Sequence, residues 1–122
     1  MRPVELSGTV KKYSQNGRKL GYPTANISTA TNLKDGVYFG YASLADYKNN
    51  PAMIFIGVPT TMGDTERRVE AHLLEVEDRD YYDQEIFLDI RHFHRNNQKF
   101  ETIKKLQEIM IEDEIAAKNW FT

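Results

Sequence analysis

The sequence predicts an all-β core followed by a single C-terminal helix, and three observations carry the prediction. Over the first three quarters of the 122 residues, short β-type runs follow one another. Gly, Asn and Asp punctuate those runs, which favours an antiparallel barrel or sandwich over βαβ units. From about Thr102 the apolar spacing lengthens to helical intervals.

The β-type runs are Glu5 to Lys12, Gly36 to Leu44, Ala52 to Gly57, Arg68 to Glu75 and Glu85 to Phe93. In the fourth, side chains alternate, so Val69, Ala71 and Leu73 share one face while Glu70, His72 and Leu74 share the other. Glu70 and His72 are therefore predicted neighbours. In the helix, Leu106, Ile109, Ala116 and Trp120 recur at intervals of three, seven and four, and this stripe is expected to cover the β core. Thr102 is the expected N-cap, its hydroxyl accepting from a first-turn N–H that otherwise lacks a partner. Asp113 falls on the apolar stripe, where a carboxylate costs free energy unless paired. Two readings stay open for it: a structural pair with a neighbouring loop, or a contact to a ligand.

A chain of this length is one domain, residues 1–122, able to bury a core but too short for two ordinary ones. The net charge is −2 and the 16 Lys and Arg are spread along the chain, which argues against a dedicated nucleic-acid surface. With no cysteine, disulfides, thiol nucleophiles and Cys-ligated zinc are excluded, and His72, His92 and His94 read as ordinary strand histidines. No apolar run approaches the roughly 20 residues of a membrane span, and the N-terminus lacks a secretory apolar segment, so a cytoplasmic protein is expected. No repeat, low-complexity tract or Pro/Ser-rich linker marks a second domain.

The most informative stretch is Asn16-Gly17-Arg18-Lys19-Leu20-Gly21-Tyr22-Pro23-Thr24-Ala25-Asn26. Gly17 and Gly21 let backbone N–H groups approach an anion closely, and Arg18 and Lys19 supply charge. Pro23 fixes φ ahead of Thr24 and Asn26, whose oxygens suit a hard cation such as Mg²⁺. Two apart in extended chain, Thr24 and Asn26 would point to one side and address one ion. Read without further context, the stretch fits a surface hairpin turn equally well, with the Asn side chain bonded to backbone.

This run resembles the GRxLGxPTAN signature of riboflavin kinases of the bacterial and eukaryotic type. Further segments are similar to that family in the same order: Asp35 to Gly40, Ile56 to Thr61, Val69 to Leu74, Arg95 to Phe100, and a final helix containing Glu112-Asp113. The resemblance covers nearly the whole chain. It implies a small closed six-stranded antiparallel barrel with Greek-key connections and a C-terminal α-helix. It implies an ATP:riboflavin 5′-phosphotransferase that makes FMN and ADP with Mg²⁺ as cofactor. Glu70 is then the catalytic base that orients the hydroxyl and accepts its proton. The nucleotide-binding set is Gly17, Arg18, Lys19, Gly21, Pro23, Thr24 and Asn26, with Thr24 and Asn26 at the metal and the segment Tyr13 to Leu20 as a flap.

By the same resemblance, the loop from Arg95 to Phe100 and the start of the helix bound a flavin pocket, with Arg95, Phe100 and Leu106 as flavin-binding candidates. Arg95 either hydrogen-bonds the flavin or ties the loop to Asp113. Tyr81, Tyr82 and Trp120 are large enough to stack on a ring, although core packing is their commoner use. Expected partners are ATP/ADP and riboflavin/FMN, with no nucleic acid or membrane, in a monomer. Arg2 to Gly8 looks like the segment that opens the kinase domain of bifunctional bacterial FAD synthetases after their adenylyltransferase domain. Both a free-standing kinase and a domain of such a synthetase fit.

Two positions depart from the family. Bacterial members carry glycine where this chain has Tyr13, and a Tyr-Gly turn where it has Tyr82-Asp83. A phenol at position 13 would obstruct a close backbone approach to the nucleotide or push the flap outward. The competing expectation is a non-catalytic flavin- or nucleotide-binding regulatory module. A flavin-dependent reductase on a similar barrel would leave Pro-Thr-Ala-Asn and Glu70 without a task.

Overall fold

The structure is a computed structural model and describes residues 1–11, 24–44, 47–58, 65–76 and 83–122. Its strands are β1 (Val4–Lys11), β2 (Thr24–Ser28), β3 (Gly36–Leu44), β4 (Tyr47–Gly57), β5 (Arg68–Leu73) and β6 (Glu85–Arg95). One helix, α1 (Ile103–Phe121), follows them. The strands close into a barrel in the order β1-β2-β5-β4-β3-β6, each neighbouring pair antiparallel. The meander β3-β4-β5 is flanked by β2 on one side and β6 on the other, which is Greek-key connectivity. Closure removes the open edges that short strands would otherwise present to another chain.

Alternation decides which residues fill the bore. Val10, Ile27, Tyr38, Ile54, Ile56, Val69, Leu73, Ile86, Leu88 and Ile90 are packed together inside it. Each large apolar side chain removed from water contributes about 1.5–3 kcal/mol. The residues between them face out, and that outer wall carries Thr24, Asn26, Glu70, His72 and Arg95, while Asp113 reaches it from the helix.

Sequence periodicity missed β2, whose five residues Thr-Ala-Asn-Ile-Ser look like turn chemistry. It is a strand because Ala25 and Ile27 enter the bore while Thr24, Asn26 and Ser28 face outward. β4 starts at Tyr47, five residues before the expected Ala52: Asn49, Asn50 and Pro51 read as a turn, yet Asn50 and Pro51 pair with β3 while Asn49, at φ 51°, sits at a register irregularity. Proline is tolerated there because β5 pairing begins only at Ala52. β5 ends at Leu73 rather than Glu75: Leu74 N–H still donates to Pro51 O at 3.0 Å, and Glu75 turns the chain with φ 57°. β6 runs on to Arg95, with irregular register against β3 between Val37 and Tyr38 and between Phe39 and Gly40. At Gly40 a Cβ would strike the Asp89 carbonyl, so the close β3–β6 approach needs glycine.

Helix α1 begins as expected: Thr102 is extended and its Oγ1 accepts from Lys105 N–H at 3.1 Å. Its buried line is Met110, Asp113 and Ala117, adjacent to the expected stripe. Leu106, Ile109 and Ala116 are half-buried beside that line, and Trp120 lies on the exposed rim. Ala117 packs against Phe39, Met53 and Leu74 on the outer wall, so the helix makes a second small core outside the barrel. Phe39 stacks on His94 with ring centroids 4.6 Å apart, and Trp120 stacks on His92 at 5.5 Å. No helix among the described residues is long and apolar enough to cross a membrane.

Candidate active site

Strand register gathers the polar candidates on two parallel rows of the outer wall. One row runs Lys11 (β1), Asn26 (β2), Glu70 (β5), Phe55 (β4), Val37 (β3) and Arg95 (β6), each residue opposite the next. The other runs Thr24 (β2), His72 (β5), Met53 (β4), Phe39 (β3) and His92 (β6). Directly opposed side chains have Cβ atoms about 4.5–5.5 Å apart. Thr24, Asn26, Glu70 and His72 thus form a compact square, brought together from β2 and β5 across a sequence gap that neither strand reveals alone.

Within the square, Thr24 Oγ1 lies 3.2 Å from His72 Nδ1, and His72 Nε2 lies 3.8 Å from Glu70 Oε2. The His72 ring is buried, and burial lowers its pKa to about 4 against a smaller upward pull from Asp113. At neutral pH it is an uncharged imidazole. Asn26 is 5% exposed, and its buried side-chain Oδ1 has no hydrogen-bond partner among the described residues. A buried amide oxygen left alone costs about 1–3 kcal/mol. A hard cation satisfies such an oxygen, and the hydroxyl oxygen of Thr24 on the same face is a second donor of the type Mg²⁺ prefers. The donor set fits the expected metal.

On the far side, Arg95 makes a bidentate pair with Asp113, Nε to Oδ1 at 2.8 Å and Nη2 to Oδ2 at 2.7 Å. Its Nη1 donates to Asn96 O, and His94 Nε2 lies 3.1 Å from Asp113 Oδ1. Of the two readings for Asp113, the structural pair is therefore present. Between Glu70 and Arg95 on the row stand Phe55, half-buried, and Val37, buried. They form an apolar strip between Glu70 and Arg95, which stand roughly 14 Å apart at ordinary strand spacing. Sequence reading missed both, because their place beside Glu70 depends on register alone.

Phe100 is buried and Leu106 half-buried, flanking the start of α1. Asn97 fixes the intervening loop, its Nδ2 donating to Ile56 O at 2.9 Å, and Gly57 makes room at φ 150°, where a Cβ would fall on that amide. Gly17, Arg18, Lys19, Gly21 and Pro23 lie outside the described residues. The same holds for Tyr13, the flap segment, Tyr81 and Tyr82.

Fold and site define a class: a small closed Greek-key barrel with one covering helix, whose acidic, imidazole and amide side chains sit on the outer wall instead of in the bore. The Flavokinase family, described as riboflavin kinase, matches residues 1–121. The chain belongs to the riboflavin kinase family. It is 35% identical over 99% of its length to the trifunctional protein RibF/MnmA of Mycoplasmoides gallisepticum, of which it spans 19%. It is 31% identical over 98% of its length to the bifunctional riboflavin kinase/FMN adenylyltransferase of Escherichia coli, of which it spans 38%. The RNA-binding riboflavin kinase RibR of Bacillus subtilis is 33% identical over 88% of this chain, which covers 47% of that relative. Riboflavin kinase from Trypanosoma brucei superposes with a TM-score of 0.74 at 21% identity, covering 98% of this chain and 80% of that one. At that identity the likeness is one of fold.

Proposed function

We propose that this chain transfers the γ-phosphoryl group of ATP to the ribityl 5′-hydroxyl of riboflavin, giving FMN and ADP. The observation that carries the reading, within family membership, is the square on the outer wall: a carboxylate, Glu70, directly opposite the orphaned amide oxygen of Asn26. Phosphoryl transfer to an alcohol needs a group to orient the hydroxyl and accept its proton, beside a place for the charge of the phosphates. Glu70 accepts the proton as the 5′ oxygen bonds to phosphorus and the bond to the β-phosphate oxygen breaks. Thr24 and Asn26 would hold Mg²⁺, which when bound would supply positive charge against the negative charge developing on the phosphates.

The flavin ring lies on the strip of Phe55 and Val37, bounded by the Arg95 to Phe100 loop and the first turns of α1 around Leu106. Apolar walls with a few convergent polar groups are the usual make-up of a pocket for such a ligand. Arg95 bounds the pocket chiefly by tying the loop to Asp113. Gly17, Arg18, Lys19, Gly21 and Pro23 complete the nucleotide side.

The test is FMN formation from riboflavin and MgATP by the parent and by Glu70→Gln. Glutamine keeps shape and hydrogen bonding but cannot take the proton, so turnover should fall by about 10²–10⁴ with thermal stability and riboflavin affinity retained. Turnover within about threefold of the parent would remove Glu70 from the base role. Absence of any FMN from the parent would refute the kinase reading.

A further inference from the structure

We propose that Lys11 is a further catalytic residue, the cation that meets the leaving β-phosphate, a role that rests on the kinase reading given above. Alternation sets its direction. Val10 fills the bore, so Lys11 faces the outer wall, as Asn26 does between Ala25 and Ile27. Register sets its place: Lys11 on β1 stands directly opposite Asn26 on β2, and Asn26 directly opposite Glu70 on β5. Cation, amide and carboxylate thus stand in one line on three neighbouring strands.

A line is what phosphoryl transfer requires, since the attacking and leaving oxygens lie on opposite sides of phosphorus. Two strand spacings put the ends of this line about 10 Å apart. That is room for a hydroxyl hydrogen-bonded to Glu70, a phosphoryl group over Asn26 and a leaving oxygen hydrogen-bonded to Lys11. The contacts at either end take about 2.8 Å each, and the near-attack separation about 3–3.5 Å. In the step, the 5′ oxygen gives its proton to Glu70 and bonds to the γ-phosphorus. The bond from that phosphorus to the bridging oxygen breaks, and its electron pair stays on ADP beside the Lys11 ammonium. The cation acts on the charge that develops there in the transition state and persists on the product.

The surroundings leave the ammonium for this use. Lys11 is exposed, and its ammonium makes no hydrogen bond or ion pair to a described residue. On its other flank stand Asp83, whose N–H donates to Val10 O, and Glu85, whose Oε2 accepts from Thr9 Oγ1 at 3.4 Å. Glu70 is two strands away, about one Debye length of 8–10 Å, so base and cation are largely screened from each other. No motif points to Lys11; register alone brings it to the square.

The experiment measures the single-turnover rate of FMN formation from riboflavin and MgATP, with the affinities of ADP and AMP, for the parent, Lys11→Met, Lys11→Arg and Glu70→Gln. Lys11→Met should slow the chemical step about 10- to 100-fold, less than the loss of an enclosed donor because this cation is exposed to solvent. It should weaken ADP about fivefold, the effect of losing one exposed charge pair, and leave AMP, which has no β-phosphate, unchanged. Lys11→Arg keeps the charge and should recover part of both.

A rate for Lys11→Met within about threefold of the parent, while Glu70→Gln falls, removes Lys11 from the reaction and leaves the kinase reading in place. Equal weakening of ADP and AMP, or a slower step with ADP affinity unchanged, puts the cation away from the β-phosphate and overturns the role. So does a loss of thermal stability in Lys11→Met that tracks the loss of rate, which would mark a structural pair with Asp83 or Glu85. If the parent itself makes no FMN, the kinase reading fails and takes this role with it.

Discussion

His72 shows how much one residue's surroundings decide. It lies two residues from Glu70 on the same strand face, so it is placed by alternation, yet its neutrality comes from burial that only the packed barrel supplies. The consequence for stability has a definite sign. Its folded pKa, about 4, is below the ordinary 6.5, so between these values the unfolded chain binds a proton that the folded chain refuses. Its contribution is fully present above about pH 6.5 and is lost as the pH falls towards 4. At about 1.4 kcal/mol per pKa unit the loss is on the order of 3 kcal/mol. Urea unfolding of the parent and of His72→Asn at several pH values between 4 and 7 isolates it, because the other titrating groups are common to both. The parent should lose stability more steeply; parallel profiles would show that the ring ionises freely in the folded state.

At the scale of elements, α1 is held to the barrel by two different devices. One is apolar, Ala117 with Phe121 against Phe39, Met53 and Leu74; the other is the buried pair of Asp113 with Arg95 and His94. A carboxylate with 6% of its side chain exposed is tolerable only with such partners. Asp113→Ala should therefore cost about 3–5 kcal/mol, since it leaves the Arg95 guanidinium largely buried and unpaired. The Arg95→Met/Asp113→Leu double variant should recover most of that loss, as apolar replacement of both partners often does. Thermal unfolding checks both statements. Riboflavin affinity of the double variant then separates the two roles weighed for Arg95: unchanged affinity means a structural tie, and a loss at parental stability means a flavin contact.

The elements were legible in the sequence to different degrees, for physical reasons. β3, with its bounds Gly36 and Leu44, and the Thr102 cap were readable because their local chemistry agrees with their final state. β2 was readable only as the extended neighbourhood of Thr24 and Asn26, since a five-residue strand with three polar outward residues has too little apolar signal. The first half of β4 was hidden behind Asn-Asn-Pro, where tertiary pairing overrides turn preference. Thr24, Asn26 and Glu70 are candidates named from the motif, and strand register sets them side by side on the outer wall. The strip of Phe55 and Val37 could not be named in that way, because cross-strand register is a property of the closed sheet.

For the whole molecule, one question is how many chemistries this chain can hold. The described residues belong to one closed barrel and its helix: the bore is filled by side chains, and the outer wall beneath α1 is occupied by the small core around Ala117. Among the described residues, the candidate catalytic surface is the square of Thr24, Asn26, Glu70 and His72 with the apolar strip beside it. The bifunctional relative from Escherichia coli is named for a kinase and an FMN adenylyltransferase, and this chain spans 38% of it. Adenylyl transfer to FMN requires attack at the α-phosphate, hence a second nucleotide site that orients a different bond. The hollow on the opposite wall, lined by Glu5, Ser7, Ser43, Asn49 and Asp89 among others, holds two carboxylates and no Lys or Arg to meet a nucleotide's phosphates. We therefore predict that the 122-residue chain alone converts riboflavin to FMN but does not convert FMN to FAD. Chromatography of flavins after incubation with FMN and MgATP checks this, with the Glu70→Gln and Thr24→Ala variants run alongside. FAD that disappears in those variants would place adenylyl transfer at the kinase square and overturn the separation of activities. FAD that persists in them would locate it elsewhere in the chain or in a contaminating enzyme, which repurification to constant specific activity tells apart.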